Sequence, residues 1–142
     1  MPGHTSGHIC FYSEKEKIIF TGDTLFSAGC GRLFEGTYSQ MLASLNKIKK
    51  LPKDTNIYCG HEYTKKNLDF CLAVERNNNL LEDKKKLINL KISKKEPTIP
   101  VTLGEELNTN IFLRCDINSV KRSLEMENSS EVEIFKKLRN LK

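Results

Sequence analysis

Apolar and polar positions alternate in two short stretches near the start of the chain, "HICFYS" (His8–Ser13) and "KIIFTGD" (Lys17–Asp23). A period of two predicts half-buried strands, and the charged "SEKEK" between them predicts the turn of a hairpin. The stretch "TLFSAGCGRLFEG" (Thr24–Gly36) has three glycines and no period, which predicts a loop. It ends where Thr37, with Gln40 three places on, offers a helix start. Met41, Leu42, Leu45 and Ile48 then share one helical face, and Pro52 stops the helix. "TNIYCG" (Thr55–Gly60) predicts another short strand.

From Thr64 onward the pattern changes to helical spacing. Thr64 is the expected cap of a helix carrying Leu68, Leu72 and Ala73, and Asn79 the cap of one carrying Leu80, Leu87 and Ile88. "EPTIPVT" (Glu96–Thr102) predicts a rigid connector. Thr102 with Glu105 repeats the capping-box pattern, a helix is expected near Ile117 to Leu124, and Ser130 opens a last helix with Ile134, Phe135, Leu138 and Leu141 inward. Strand, strand, helix, strand is α/β patterning. The expected organisation is an α/β part over residues 1–63 and a mostly helical part over 64–142.

A chain of 142 residues accommodates one ordinary domain or two small pieces sharing a boundary. Its 38% hydrophobic and 29% charged residues fit a folded protein rather than a disordered one. No run approaches the roughly 18 apolar residues of a membrane helix, and no secretory leader opens the chain, so a cytoplasmic location and no membrane partner are expected. Five cysteines (Cys10, Cys30, Cys59, Cys71, Cys115) form an odd set with no C-x-x-C pair, which fits reduced thiols. The net charge of +5 comes mainly from lysines spread through the second half, and "DKKK" follows Glu82 on a predicted helix. That distribution reads as a solvated face, with no nucleic-acid partner.

The chain holds only three histidines. His4, Asp23 and His61 each sit beside a glycine and next to a predicted strand end, in "PGHTSGH", "FTGDTLF" and "YCGHEYT". Strand ends are where loops converge on ligands in open α/β sheets, and glycine permits close backbone approach. Singly, each has an ordinary reading as a solvated loop histidine, a Gly-Asp turn or a helix start. The recurrence of the three suggests a shared metal.

These three phrases resemble the later metal motifs of the metallo-β-lactamase superfamily, and "GHTSGH", "GDTLFSAGCGR" and "CGHEYT" together are similar to glyoxalase II, the hydroxyacylglutathione hydrolases. The resemblance implies the later half of a metallo-β-lactamase αββα sandwich followed by a mostly helical C-terminal domain. It implies two divalent metal ions, zinc with iron or manganese as alternatives, with His4 on the first, His61 on the second and Asp23 bridging both. His8 has no ligand role in that family and reads as structural. Water on such ions has its pKa lowered toward about 7, and the activity implied is attack of that hydroxide on the thioester of S-D-lactoylglutathione, giving glutathione and D-lactate in methylglyoxal detoxification. For the glutathione thioester, the resemblance points to Arg32, to Phe34 in place of an aromatic hydroxyl, to Tyr63, and to Lys136 and Arg139 three apart on the last helix. Cations near a helix C-terminus also favour its dipole, so the sequence leaves two roles open for that pair. The family's Asn-Pro-Phe segment reads "NIF" at Asn110–Phe112.

The family's first metal motif, Thr-His-x-His-x-Asp-His, does not occur among these residues. The expectation is therefore a C-terminal portion with two protein ligands per ion, whereas a catalytic zinc usually has three. Such a piece is expected to be inactive by itself, with a sheet face left uncovered and open to self-association. The alternatives are another superfamily hydrolase or sulfur dioxygenase, and a non-catalytic glutathione-binding or interaction module built from the helical half.

Overall fold

A computed structural model describes residues 1–142. The predicted hairpin forms from β1 (Phe11–Ser13) and β2 (Ile18–Gly22), paired antiparallel with Phe11 opposite Phe20. The stretch read as an unstructured loop contains a two-stranded ribbon, β3 (Leu25–Phe26) and β4 (Gly29–Cys30). Its strands are too short to show a period, and Ala28 at φ 56° makes its turn. Thr37 and Gln40 form the reciprocal cap expected of them, and α1 (Tyr38–Lys49) buries Met41, Leu42, Leu45 and Ile48.

After α1 the chain returns as β5 (Asn56–Cys59), parallel to β2. Parallel neighbours need a crossover, and β3, β4 and α1 supply it. A further strand, β6 (Val101–Thr102), pairs antiparallel with β5 inside the segment expected to be only a connector. The sheet order is β1-β2-β5-β6. One sheet face buries Ile19, Thr21, Ile57 and Val101. The other carries Phe11, Phe20 and Tyr58 in register across three strands, each at least 36% exposed.

The helices α2 (Thr64–Val74), α3 (Asn79–Ser93), α4 (Leu103–Thr109), α5 (Asn118–Ser123) and α6 (Glu131–Leu141) follow, with a 3₁₀ turn at Ile111–Leu113. Three sequence expectations need correction. Thr64 does not cap α2; it is the first helical residue, buried, with its hydroxyl bonded to that of Thr98. The α3 cap is Asn78, whose side chain accepts from the Leu80 and Leu81 amides, so the buried face shifts to Leu81, Lys84 and Ile88 while Leu80 and Leu87 point outward. Leu141, expected inward, is 51% exposed because α6 ends there. The capping boxes of Thr102 with Glu105 and of Ser130 with Glu133 both form.

Buried side chains from both halves join in a single core of 23 residues, from Ile19 and Ile57 of the sheet to Phe112, Phe135 and Leu138. No helix is long and apolar enough to cross a membrane. All five cysteines are free.

At the centre lies a carboxylate. Glu106 on α4 is fully buried and accepts from the Ser27 hydroxyl (3.2 Å), the Ala28 amide (2.8 Å), Asn110 Nδ2 (2.9 Å) and the Lys84 ammonium. Removing one partner of a buried ion pair strands the other charge, at about 3–5 kcal/mol. Glu106→Ala is expected to destabilise the fold by about that amount, and Glu106→Ala/Lys84→Met by markedly less, measured by urea unfolding; equal losses would show that the pair is not coupled.

Candidate metal and substrate site

Because β2 and β5 are parallel neighbours with Gly22 beside Cys59, the residues just past their ends, Asp23 and His61, meet although they lie far apart in sequence. The Gly60 amide donates to the Gly22 carbonyl (2.9 Å) and locks the two strand ends together. The segment before β1 brings in His4, tied by Phe34 N–H donating to the His4 carbonyl (3.1 Å). His4 Nε2 lies 3.4 Å from Asp23 Oδ2 and His61 Nε2 lies 3.4 Å from Asp23 Oδ1. The three residues singled out by their glycine neighbours thus converge, with one imidazole on each carboxylate oxygen.

The tautomer of His4 follows from its other nitrogen. Nδ1 is 2.8 Å from the Arg32 carbonyl, which can only accept, so Nδ1 carries the proton and donates it there. In the neutral ring Nε2 is then a lone pair facing the Asp23 carboxylate. Two acceptors face each other favourably only with a cation or a proton between them. Imidazole and carboxylate are also the donor types that zinc and its first-row neighbours take, so the residues present fit a metal-bridging role. His4 and His61 approach different oxygens of Asp23, however, and no group of three His, Cys, Asp or Glu side chains is placed to hold a single ion.

His8 supports this arrangement without belonging to it. Its Nε2 accepts from the Asp23 amide (3.1 Å), leaving Nδ1–H to donate to Thr24 Oγ1 (3.1 Å). Burial, and then the nearby His4, lower its pKa and so favour the neutral ring. Two glycines clear space for Asp23. A Cβ at Gly60 would stand 2.6 Å from Asp23 Oδ1, and one at Gly31 would overlap the Asp23 carbonyl.

The metal-type residues open into a cavity of about 540 Å³ whose other wall includes Arg32, Phe34, Tyr63, Lys66, Arg139 and Lys142. Tyr63 stacks on His61, with ring centroids 4.8 Å apart, and Phe34 lies edge-on to His4 at 5.0 Å with 71% of its surface exposed. Arg139 donates to the Cys30 carbonyl (3.2 Å) and lies over the Phe112 ring. Lys136 is elsewhere: it lies over Tyr38 and does not line the cavity. Of the expected pair, the structure brings only Arg139 to the cavity, together with Lys142 one helical step further on. "KKLRNLK" contains two pairs of cations three apart, and the fold turns Arg139 and Lys142 to the cavity.

Sequence reasoning also missed Lys66 and Asn67. Both lie three and four places after Tyr63 and so share its face of α2, a signal that was available once Tyr63 was singled out. Asn67 is buried, donates to the Ser27 carbonyl (3.0 Å) and accepts from the Lys142 ammonium, whose pKa burial lowers. Cys30 also borders the cavity, but burial raises its thiol to about 11, so it remains protonated and unsuited to nucleophilic attack.

Residues 62–142 match the family model of the hydroxyacylglutathione hydrolase C-terminus, and residues 1–61 match that of the metallo-beta-lactamase superfamily. The chain belongs to the hydroxyacylglutathione hydrolase family. It is 56% identical over 142 residues to a hydroxyacylglutathione hydrolase of Pelagibacter ubique, covering all of this chain and 54% of that protein. It is 49% identical over 141 residues to one of Chelativorans sp., covering 99% of this chain and 55% of that protein. The chain thus spans about half the length of the curated relatives it matches. Among solved structures, BLEG-1 B3 metallo-beta-lactamase is similar at TM-score 0.50 and 29% identity, over 79% of this chain and 38% of that one. A metallo-beta-lactamase from Staphylococcus aureus is similar in fold at TM-score 0.53 and 22% identity, over 96% of this chain and 31% of that one. The fold class read from the sequence, part of a metallo-β-lactamase sandwich with a helical C-terminal part, holds.

Because Gly31 packs against backbone, which cannot swing away as a side-chain tip can, Gly31→Ala is expected to lower the unfolding free energy by roughly 1–3 kcal/mol. An unchanged urea midpoint for that variant would contradict the packing described.

Proposed function

We propose that these residues form the later part of an enzyme that hydrolyses 2-hydroxyacyl thioesters of glutathione, S-D-lactoylglutathione foremost, to glutathione and the free hydroxy acid. The observation that carries this reading is the Asp23 carboxylate held between two imidazoles at the wall of a cavity rich in cations. His4 with Asp23, and Asp23 with His61, would hold two divalent ions, zinc or alternatively iron or manganese, which when bound polarise the thioester carbonyl and supply a nucleophile at neutral pH. In the hydrolysis, water adds to the carbonyl carbon, the C–S bond breaks, and the thiolate leaves as glutathione.

The chain's own residues bind and orient. Arg32, Arg139 and Lys142 offer charge-assisted hydrogen bonds to the carboxylates of glutathione. Tyr63, stacked on His61, has a hydroxyl that can donate to the peptide part, while Phe34 offers only a ring. His4 is kept in the Nδ1–H tautomer by the Arg32 carbonyl, so the residue that binds substrate also aims the ligand. On this reading residues 1–63 supply the metal ligands and 64–142 most of the substrate wall.

With two donors per ion where a catalytic site has about three, the 142 residues alone are expected to retain less than one ion per chain after dialysis and to show no turnover of S-D-lactoylglutathione. Metal analysis and a thioester assay on the purified chain check this. Fusing the chain to the part of the Pelagibacter ubique relative that it does not cover should give a hydrolase. In that fusion, Asp23→Asn should lower kcat on the order of 100-fold or more. A folded, two-metal fusion that leaves the thioester intact would overturn the reading. The runner-up, a glutathione-binding module without chemistry, is favoured only if both the chain and the metal-loaded fusion bind glutathione and neither hydrolyses the ester.

A further inference from the structure

The cavity holds more positive charge than its expected anchoring role requires. Arg32, Lys66, Arg139 and Lys142 all line it, Asp23 is its only acid, and none of the four cations lies in an ion pair with a carboxylate of the chain. Arg139 and Lys142 have a structural reason to be where they are, since cations at the end of α6 complement its dipole. Lys66 has the opposite. It lies in the first turn of α2, which contains no acidic residue and whose N-cap, Tyr63, makes no side-chain capping bond. A cation at that end opposes the dipole and weakens the helix.

Its immediate neighbour, Lys65, has the same charge and the same unfavourable position, but faces another hollow beside Glu62 and Glu96. Lys66 shares the cavity-facing side of α2 with Tyr63 and with Asn67, the acceptor for Lys142. Its side chain is exposed and unpaired, free to reach a ligand. We propose that Lys66 is a fourth cationic contact of this cavity, binding a carboxylate of the glutathione half of the substrate and so setting preference for an anionic thiol. Phe34 adds to this: by offering a ring without a hydroxyl it leaves orientation of the thiol half to the cations and to Tyr63.

The inference rests on the glutathione reading of the cavity, and one titration separates the two. Calorimetry of the 142-residue chain with glutathione, and with glutathione esterified at both carboxylates, is run on wild type, Lys66→Ser, Lys66→Arg and Lys65→Ser. Lys66→Ser is expected to weaken glutathione binding about three- to tenfold, Lys66→Arg to retain it, and Lys65→Ser to change it less than about twofold. The diester should bind weakly and equally to all four. The unfolding midpoint of Lys66→Ser should stay level or rise, which rules out loss through misfolding. Equal losses in Lys65→Ser and Lys66→Ser, or a Lys66→Ser loss that persists with the diester, would overturn the role of Lys66 while leaving the cavity reading intact. No binding of glutathione by wild type would overturn the cavity reading and this inference with it.

Discussion

The burial of Glu106 constrains the architecture around the cavity. A carboxylate with no solvent exposure must find hydrogen-bond donors or a cation, and it finds both: the turn of the β3–β4 ribbon through Ser27 and Ala28, α3 through Lys84, and the C-cap of its own helix through Asn110. Asn110 extends the network by donating to the Phe26 and Gly29 carbonyls. The ribbon itself has only two residue pairs, too few to be stable by pairing alone. It is held by the polar groups beneath it, and it leads directly into Gly31 and Arg32. A network buried in the helical half therefore sets the position of a cavity wall that belongs, in sequence, to the α/β half.

That dependence explains why some parts of the molecule were readable from sequence and others were not. Elements with their own caps were legible: Thr37 with Gln40, Thr102 with Glu105 and Ser130 with Glu133 all start helices as expected, because the capping bonds are local. Failures arose where a distant partner decides. Thr64 looks like a cap, but Thr98 takes its hydroxyl. Asn78 displaces Asn79 as the α3 cap and turns the apolar stripe by one position, so that Lys84 is carried inward to meet Glu106. β6 is invisible because two residues cannot show a period; only the pairing with β5 makes it a strand.

The same distinction holds within the site. His4, Asp23 and His61 were legible because each carries its glycine beside it, and strand order then brings them together. The cationic wall of the cavity was legible only in part. Arg32 and Tyr63 lie next to the metal-type motifs and share their placement, whereas the α6 cations depend on which face of a helix packs inward. Ile134, Phe135 and Leu138 settle that, and they turn Arg139 and Lys142, not Lys136, toward the cavity.

Electrostatics then separates the two walls of the cavity. On one side a carboxylate and a lone pair face each other at 3.4 Å, a geometry that attracts cations. On the other, Arg32, Arg139 and Lys142 are gathered with no carboxylate among them, and the two arginines both disfavour the Lys142 ammonium that burial already disfavours. Neither wall relieves the other across the cavity, since Asp23 pairs only with histidines. Like charges concentrated in this way repel one another; an anion at the second wall relieves them, as a cation relieves the facing acceptors of the first. The separation of charge across one cavity therefore restricts what each wall can take: cations at Asp23 and its two imidazoles, anions at Arg32, Arg139 and Lys142.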